Sequence, residues 1–180
     1  MTIRLIAGKF GGRSIICPPG RQTHPMGDRV RGSLFNILGD ISGFDILDAF
    51  AGTGALGLEA LSRGARHATF VERDKVAQKI IGENITTLAV SEQTQRIAAS
   101  VAQWDETAEE QYFDIIFADP PYHNLQLSTV SRLVKHLKPN GLMVLSYPGR
   151  EQAPTVNGVV VVDNRSYGNA ALAFYRPSET

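Results

Sequence analysis

Between Ile46 and Tyr147 the chain alternates short apolar runs with amphipathic stretches, and that alternation leaves few architectures open. The β-like runs are Ile46–Phe50, Ala68–Val71, Ile97–Ala99, Ile115–Ala118 and Leu142–Tyr147. Helical segments separate them. One runs from Ala55 to Arg63, with Gly64 at the C′ position. A second begins at Asp74 and sets Val76, Ile80, Ile81, Ile85 and Leu88 on one face. A weaker one is expected over Gln103–Gln111, and another from Leu125 to Leu137, stopped by Lys138-Pro139-Asn140-Gly141. Strands that alternate with helices build right-handed βαβ units, hence a parallel sheet covered on both faces. The end departs from this pattern: Val159–Val162 and Ala170–Phe174, joined by the turn-rich Asp163–Asn169, predict a terminal antiparallel hairpin.

Upstream of the alternation, Ile3–Ala7 and Arg13–Ile16 read as a β-hairpin around Gly8-Lys9-Phe10-Gly11-Gly12. Cys17-Pro18-Pro19-Gly20 ends it, and irregular chain follows to Gly27. From Asp28, read as an N-cap, Val30, Leu34, Ile37 and Leu38 form the stripe of an amphipathic helix. The division expected is a hairpin extension over 1–27 and a main domain over 28–180.

Eighteen basic residues balance eighteen acidic ones over the 180 residues, so a histone-like cationic field is excluded. Their placement is uneven. Residues 1–40 carry Arg4, Lys9, Arg13, Arg21, Arg29 and Arg31 against Asp28 and Asp40, a balance of +4, and the remainder carries −4. Either a solvated surface or an anion-facing arm, such as one for nucleic acid, has this form. The single cysteine, Cys17, rules out an internal disulfide or a C-x-x-C pair. His24, His67, His123 and His136 lack metal-ligand spacing, so no metal is expected, and Trp104 reads as a half-buried packing residue. No apolar run approaches the ~20 residues that span a bilayer, and the first residues carry charges within their apolar stretch. The expectation is a cytoplasmic protein with no membrane association.

Two motifs carry chemistry. Asp48-Ala49-Phe50-Ala51-Gly52-Thr53-Gly54-Ala55-Leu56-Gly57 holds a G-x-G-x-x-G between a strand and a helix. Glycines there let backbone approach a cofactor, and the helix offers free N–H groups. Nicotinamide, flavin and S-adenosylmethionine sites all use such a loop. Asp48 favours a ligand with a cationic amino group. Glu72, twenty residues after Gly52, stands where a carboxylate can accept both ribose hydroxyls of an adenosine. The second motif, Asp119-Pro120-Pro121-Tyr122, closes a strand at its carboxyl end, outside which ligands sit in open α/β sheets. Asp119 and the rigid Pro120 carbonyl form a two-acceptor clamp for a flat amino group, because prolines fix φ and remove donors. Tyr122 offers a ring for a stacked base. The site fits a flipped-out nucleobase with an exocyclic amine.

Together these motifs resemble the class I S-adenosylmethionine-dependent methyltransferases of exocyclic amines. The stretches Arg4–Arg13, Asp28–Leu38, Leu47–Ala60, Ser62–Ala65 and Tyr167–Asn169 resemble, more narrowly, the RsmD-type family of 16S ribosomal RNA guanine-N2 methyltransferases. The resemblance implies a Rossmann-like α/β fold with a mostly parallel seven-stranded sheet, and a monomer acting on 16S rRNA or the assembling small subunit. It implies S-adenosylmethionine bound by Asp48, Phe50, Ala51, Gly52, Thr53 and Gly54, with Glu72, Arg73, Ser100, Val101 and Asp119. Asp119, Pro120, Pro121 and Tyr122 would be catalytic, and Arg4, Lys9, Arg13, Arg29 and Arg31 would hold RNA. The chain departs from the family at Thr23-His24-Pro25-Met26-Gly27, where Arg-Pro-Thr is usual. It also has Gly32 for a common glutamate, and Ser100-Val101 where an acid often meets the adenine amine. Adenine-N6 methylation, a nicotinamide oxidoreductase and a non-catalytic RNA-binding module are the alternatives.

Overall fold

The computed structural model describes residues 1–18 and 26–179; Arg21 and His24 lie outside them. A central sheet of seven strands has the order β5-β4-β3-β6-β7-β9-β8. It comprises β3 (Asp45–Ala49), β4 (His67–Glu72), β5 (Thr94–Ala98), β6 (Phe113–Ala118), β7 (Leu137–Pro148), β8 (Val159–Ser166) and β9 (Ala170–Pro177). The first five run parallel, and β9 pairs antiparallel with both β7 and β8. Helices α1 (Asp28–Leu38), α2 (Ala55–Ser62) and α3 (Lys75–Leu88) cover one face. Helices α4 (Val101–Thr107) and α5 (Leu127–Leu133) cover the other. The expected mostly parallel α/β sheet with its antiparallel C-terminal hairpin is therefore the observed fold. The strand order reverses between β3 and β6, which makes the carboxyl ends of those strands the ligand crevice. No helix among the described residues is long and apolar enough to cross a membrane.

Local chemistry explains most element ends. Asp74 caps α3 by accepting the Ala77 N–H at 2.9 Å. Ser100 and Gln103 form a capping box on α4, which starts at Val101 rather than Gln103 because that box fixes its origin. Asp28 is not a cap. Gly27 holds the N-cap position, and the Asp28 carboxylate turns instead to Arg31, 3.0 Å away. Val76 is exposed, although Ile80, Ile81, Ile85 and Leu88 of the same helix are buried. Lys138–Gly141 is no stop: it forms the irregular start of β7, with a register shift between Phe113 and Ile115 opposite it. Asp163–Ser166 is strand rather than turn, because it pairs with Ala171–Phe174, and only Tyr167–Asn169 reverses the chain.

The N-terminal hairpin, β1 (Thr2–Arg4) with β2 (Ser14–Ile16), is docked on the helices. Leu5, Phe10 and Ile15 join the same buried cluster as Leu34, Leu58 and Phe70. Polar groups fix the docking. Glu59, fully buried on α2, accepts the Ile6 N–H at 2.8 Å and the Ala7 N–H at 3.2 Å. Ser62 Oγ accepts the Phe10 N–H and donates to the Ala7 carbonyl. Asn84 of α3 pairs with both the N–H and the carbonyl of Ile16. Gly8 is required here: its φ is +81°, and a Cβ would stand 1.9 Å from the Ser62 carbonyl oxygen.

Arg31 corrects the sequence reading. It is 0% exposed and donates to the Met26 and Arg4 carbonyls, at 3.1 and 2.7 Å, with its Nε 3.7 Å from Glu59. A buried arginine cannot meet a phosphate, so Arg31 belongs to the frame. Its charge is held by Asp28 and Glu59, while Arg63 gives Glu59 a second cation at 2.9 Å. Removing one partner of a buried pair leaves the other uncompensated, which costs ~3–5 kcal/mol. Glu59→Ala should lose stability of that order in urea unfolding, with the change concentrated in the hairpin; exposed Glu83→Ala should be nearly silent.

Candidate active site

The chain leaves β3 at Asp48 and Ala49 and coils tightly before α2. Phe50, Gly52 and Gly54 all have positive φ, at 59°, 57° and 79°. For Phe50 this is a strained conformation, and such strain is characteristic of ligand-binding turns. The loop is pinned from three sides. The Ala51 N–H donates to the Val71 carbonyl at 3.0 Å, the Gly54 N–H to the Ala51 carbonyl at 2.8 Å, and the Gly52 N–H to Glu72 Oε1 at 2.9 Å. Thr53 is buried, and its Oγ1 accepts the Ala55 N–H. Asp48 is 1% exposed and accepts the Gly57 N–H at 3.0 Å, tying the end of β3 to α2.

Glu72 sits at the end of β4, where its Oε2 also accepts the Asp74 N–H at 2.8 Å. A carboxylate has about four acceptor positions, so two hydroxyls can still be received beside these amides. Gln78 bridges the ends of β4 and β5 through the Glu72 and Ile97 carbonyls, both at 2.7 Å. Arg73 is exposed next to Glu72. Beyond β5, the Ser100 hydroxyl is spent on capping α4, and the Val101 side chain is buried in the lower core.

Across the reversal point, Asp119-Pro120-Pro121-Tyr122 leaves β6. Pro120 is buried, Pro121 and Tyr122 are exposed, and Asp119 is partly enclosed. The Pro121 carbonyl accepts the Asn124 N–H, whereas no donor among the described residues reaches the Pro120 carbonyl. Ser146 of β7 was not singled out in the sequence, yet it organises this side. Its Oγ lies 2.5 Å from the Tyr122 hydroxyl. The available signal was a lone serine inside the apolar run Leu142–Tyr147.

The electrostatics point to a cationic ligand. Burial raises Asp48 well above the usual carboxylate range; its Gly57 bond opposes that, and the charges of Asp119 and Glu72 add to it. Burial pushes Asp119 up to about 6, and the polar Ser146 hydroxyl opposes that rise. The charges of Asp119 and Glu72 thus bear on Asp48 across the crevice, and no cation is among the causes of the Asp48 or Asp119 shift. A group carrying a sulfonium and an ammonium supplies the opposite charge. S-adenosylmethionine fits the residues present. Among the described residues no trio of histidine, cysteine or carboxylate side chains is placed to hold a metal ion.

Fold and site define a methyltransferase of the class I α/β type that uses S-adenosylmethionine. At 17% identity SMU.776, solved in complex with SAH, shares the fold (TM-score 0.64, covering 82% of this chain and 48% of that one). Closer likenesses narrow the assignment. The family described as "Conserved hypothetical protein 95" matches residues 3–176, and the chain belongs to it. Ribosomal RNA small subunit methyltransferase D of Haemophilus influenzae is 34% identical over 97% of this chain and 93% of its own. The solved structure of yhhF from Escherichia coli superposes with a TM-score of 0.87 at 31% identity, covering both chains fully.

Glu72→Ala should weaken S-adenosylmethionine binding by ~1.5–3 kcal/mol, the worth of a charged acceptor, measured by titration calorimetry. The Gly52 and Asp74 amides lose a partner too, so a small fall in thermal stability should accompany it.

Proposed function

We propose that this enzyme methylates the exocyclic N2 amine of a guanine in small-subunit ribosomal RNA, acting in the cytoplasm as a single chain. One observation carries the reading: Asp119 and a Pro120 carbonyl that no described donor reaches follow one another at the carboxyl end of β6, beside a tyrosine hydrogen-bonded to Ser146. The name of the Haemophilus influenzae relative supports the RNA, and the clamp supports the amine.

S-adenosylmethionine, when bound, supplies a methyl group already activated by its sulfonium. The protein's task is to present the amine. A guanine amine is conjugated with its ring and is a poor nucleophile. Asp119 and the Pro120 carbonyl accept its two hydrogens, which holds the nitrogen lone pair in one direction. Tyr122 stacks on the base, and the Ser146 bond prevents its ring from swinging away. Positioning of this kind can contribute ~7–11 kcal/mol to a reaction between two held partners. Arg73 and the backbone of Phe50–Gly54, with Ser100 and Val101 at the far wall, complete the proposed cofactor site. Exposed Arg4, Lys9, Arg13 and Arg29 are the proposed RNA contacts. Lys9 and Arg13 flank the Phe10 ring at 5.5 and 5.7 Å, so two cations share one edge of the hairpin.

Nucleoside mass spectrometry of small-subunit rRNA methylated by the purified enzyme tests the reading. N2-methylguanosine is the expected product, and N6-methyladenosine would replace guanine with adenine as the target. Asp119→Ala should abolish turnover while leaving cofactor affinity within a few-fold. Tyr122→Ala should cost less, ~1–3 kcal/mol of stacking, read from single-turnover rates.

The raised Asp119 sets a pH dependence. The ionised carboxylate is a far stronger acceptor of the amine hydrogen than the acid, so the rate should fall by up to about tenfold per unit as pH drops below about 6. Stability runs the other way. A folded-state pKa above the unfolded value favours folding at low pH and loses that contribution as pH rises through about 6. Asp119→Asn should therefore melt higher than the parent at pH 8 and equally near pH 3, by calorimetry.

A further inference from the structure

The reverse turn Tyr167-Gly168-Asn169 has no part in the chemistry above, yet the fold builds it into the catalytic rim with unusual care. Strand registers place it there. Ala118 lies opposite Leu145, Pro148 opposite Ala170, and Ser166 opposite Ala171. Tyr167 thus stands about two strands, or roughly 10 Å, to the side of Asp119, above the same carboxyl ends. Phe117, Val144 and Leu172 pack in the α1 cluster, so Asp119, Ser146 and Ala170, each two residues further along or back, share that face.

Three segments hold the turn. The Tyr167 N–H donates to the Ala170 carbonyl at 2.7 Å, and the Gly149 N–H to the Asn169 carbonyl at 3.0 Å. Ser166 Oγ donates to the Gly149 carbonyl at 3.0 Å. A Cβ on Gly149 would lie 2.0 Å from the Gly168 carbonyl oxygen, so the β7 exit and the turn touch backbone to backbone. From α1, Ser33 Oγ meets the Tyr167 hydroxyl at 2.5 Å, which locks the ring. On that ring, 5.9 Å from its centroid, lies the guanidinium of Arg29, one helical turn before Ser33.

The charge on Arg29 is unspent. Its neighbour Asp28 is engaged by the buried Arg31, and no carboxylate among the described residues pairs with Arg29. An exposed guanidinium oriented on a ring that is itself tethered keeps its donors aligned at little entropic cost. A phosphate oxygen is what that geometry receives.

We propose that Arg29, oriented by Tyr167 and through it by Ser33, grips a backbone phosphate of the RNA strand next to the target nucleotide, with Tyr167 as a positioning residue. This rests on RNA being the substrate. The grip lies beside the clamp rather than in it, so it acts on RNA affinity and leaves the methyl donor untouched.

The experiment measures small-subunit rRNA binding across a salt series, together with KM and kcat, for Arg29→Ala, Arg29→Lys, Tyr167→Phe and the Arg29→Ala/Tyr167→Phe double variant. Arg29→Ala should weaken binding and raise KM several-fold, flatten the salt slope by roughly 0.7–0.9, and leave kcat and S-adenosylmethionine affinity unchanged. Arg29→Lys should retain the slope with an intermediate KM. Tyr167→Phe keeps the ring and loses only its tether, so KM should rise at an unchanged slope. The double variant should be no worse than Arg29→Ala, since both act through one contact. Parental slope and KM in Arg29→Ala would overturn the proposal, as would additive losses in the double variant. A parent enzyme that binds RNA without methylating it would overturn the proposed function alone, because the slope still reads the grip. A parent that binds no RNA would overturn both.

Discussion

A carboxylate with no exposure to water holds the two parts of this protein together. Glu59 lies on α2, the helix that begins at the glycine loop, and its oxygens receive two backbone amides of the hairpin and the side chains of Arg31 and Arg63. Three donors and the nearby Arg31 charge around one buried carboxylate offset a desolvation penalty of several kcal/mol only if all are present. The hairpin, α1 and α2 are therefore fixed relative to one another as a unit. Because α1 also carries Ser33 and Arg29, the position of the rim is set by the same carboxylate that sets the hairpin.

The crevice follows the opposite principle. Asp48, Glu72 and Asp119 lie at the carboxyl ends of β3, β4 and β6, and no arginine or lysine among the described residues pairs with them. Glu59 is met by two arginines, whereas Asp48 and Glu72 are met by backbone amides alone. One protein thus places its acids in two settings, and the difference lies in whether a cation of the chain stands beside them.

Much of this was legible in the sequence. The alternation of runs gave the parallel sheet because β-branched clusters and glycine stops are local signals. The two strand-end motifs fell where they matter because their spacing from the strands is also local. What escaped was non-local. Arg31 reads like Arg29 in sequence, two residues apart in a basic segment, and only the arrival of Glu59 and the Arg4 carbonyl separates a structural cation from a surface one. Ser146 reads as a blemish in an apolar strand until Tyr122 is brought across from β6. Asp28 looks like a cap because the competing partner sits three residues along on the same helix.

The position of β9 between β7 and β8 has a consequence for how the chain is made. β8 emerges from the ribosome before β9 yet touches the sheet only through it, so its valines have no partner strand until β9 slots in. Until then β7 is an open edge, and Ser146 on it stands beside a gap. Non-local strand insertion of this kind is slow compared with helix formation and leaves edges prone to wrong pairing. The parallel half, with its glycine loop and the Ser146–Tyr122 bond, can assemble from local units first, and the antiparallel edge of β9 and β8 is finished last. The turn that carries Tyr167 beside Arg29 would then be the last part of this rim to form.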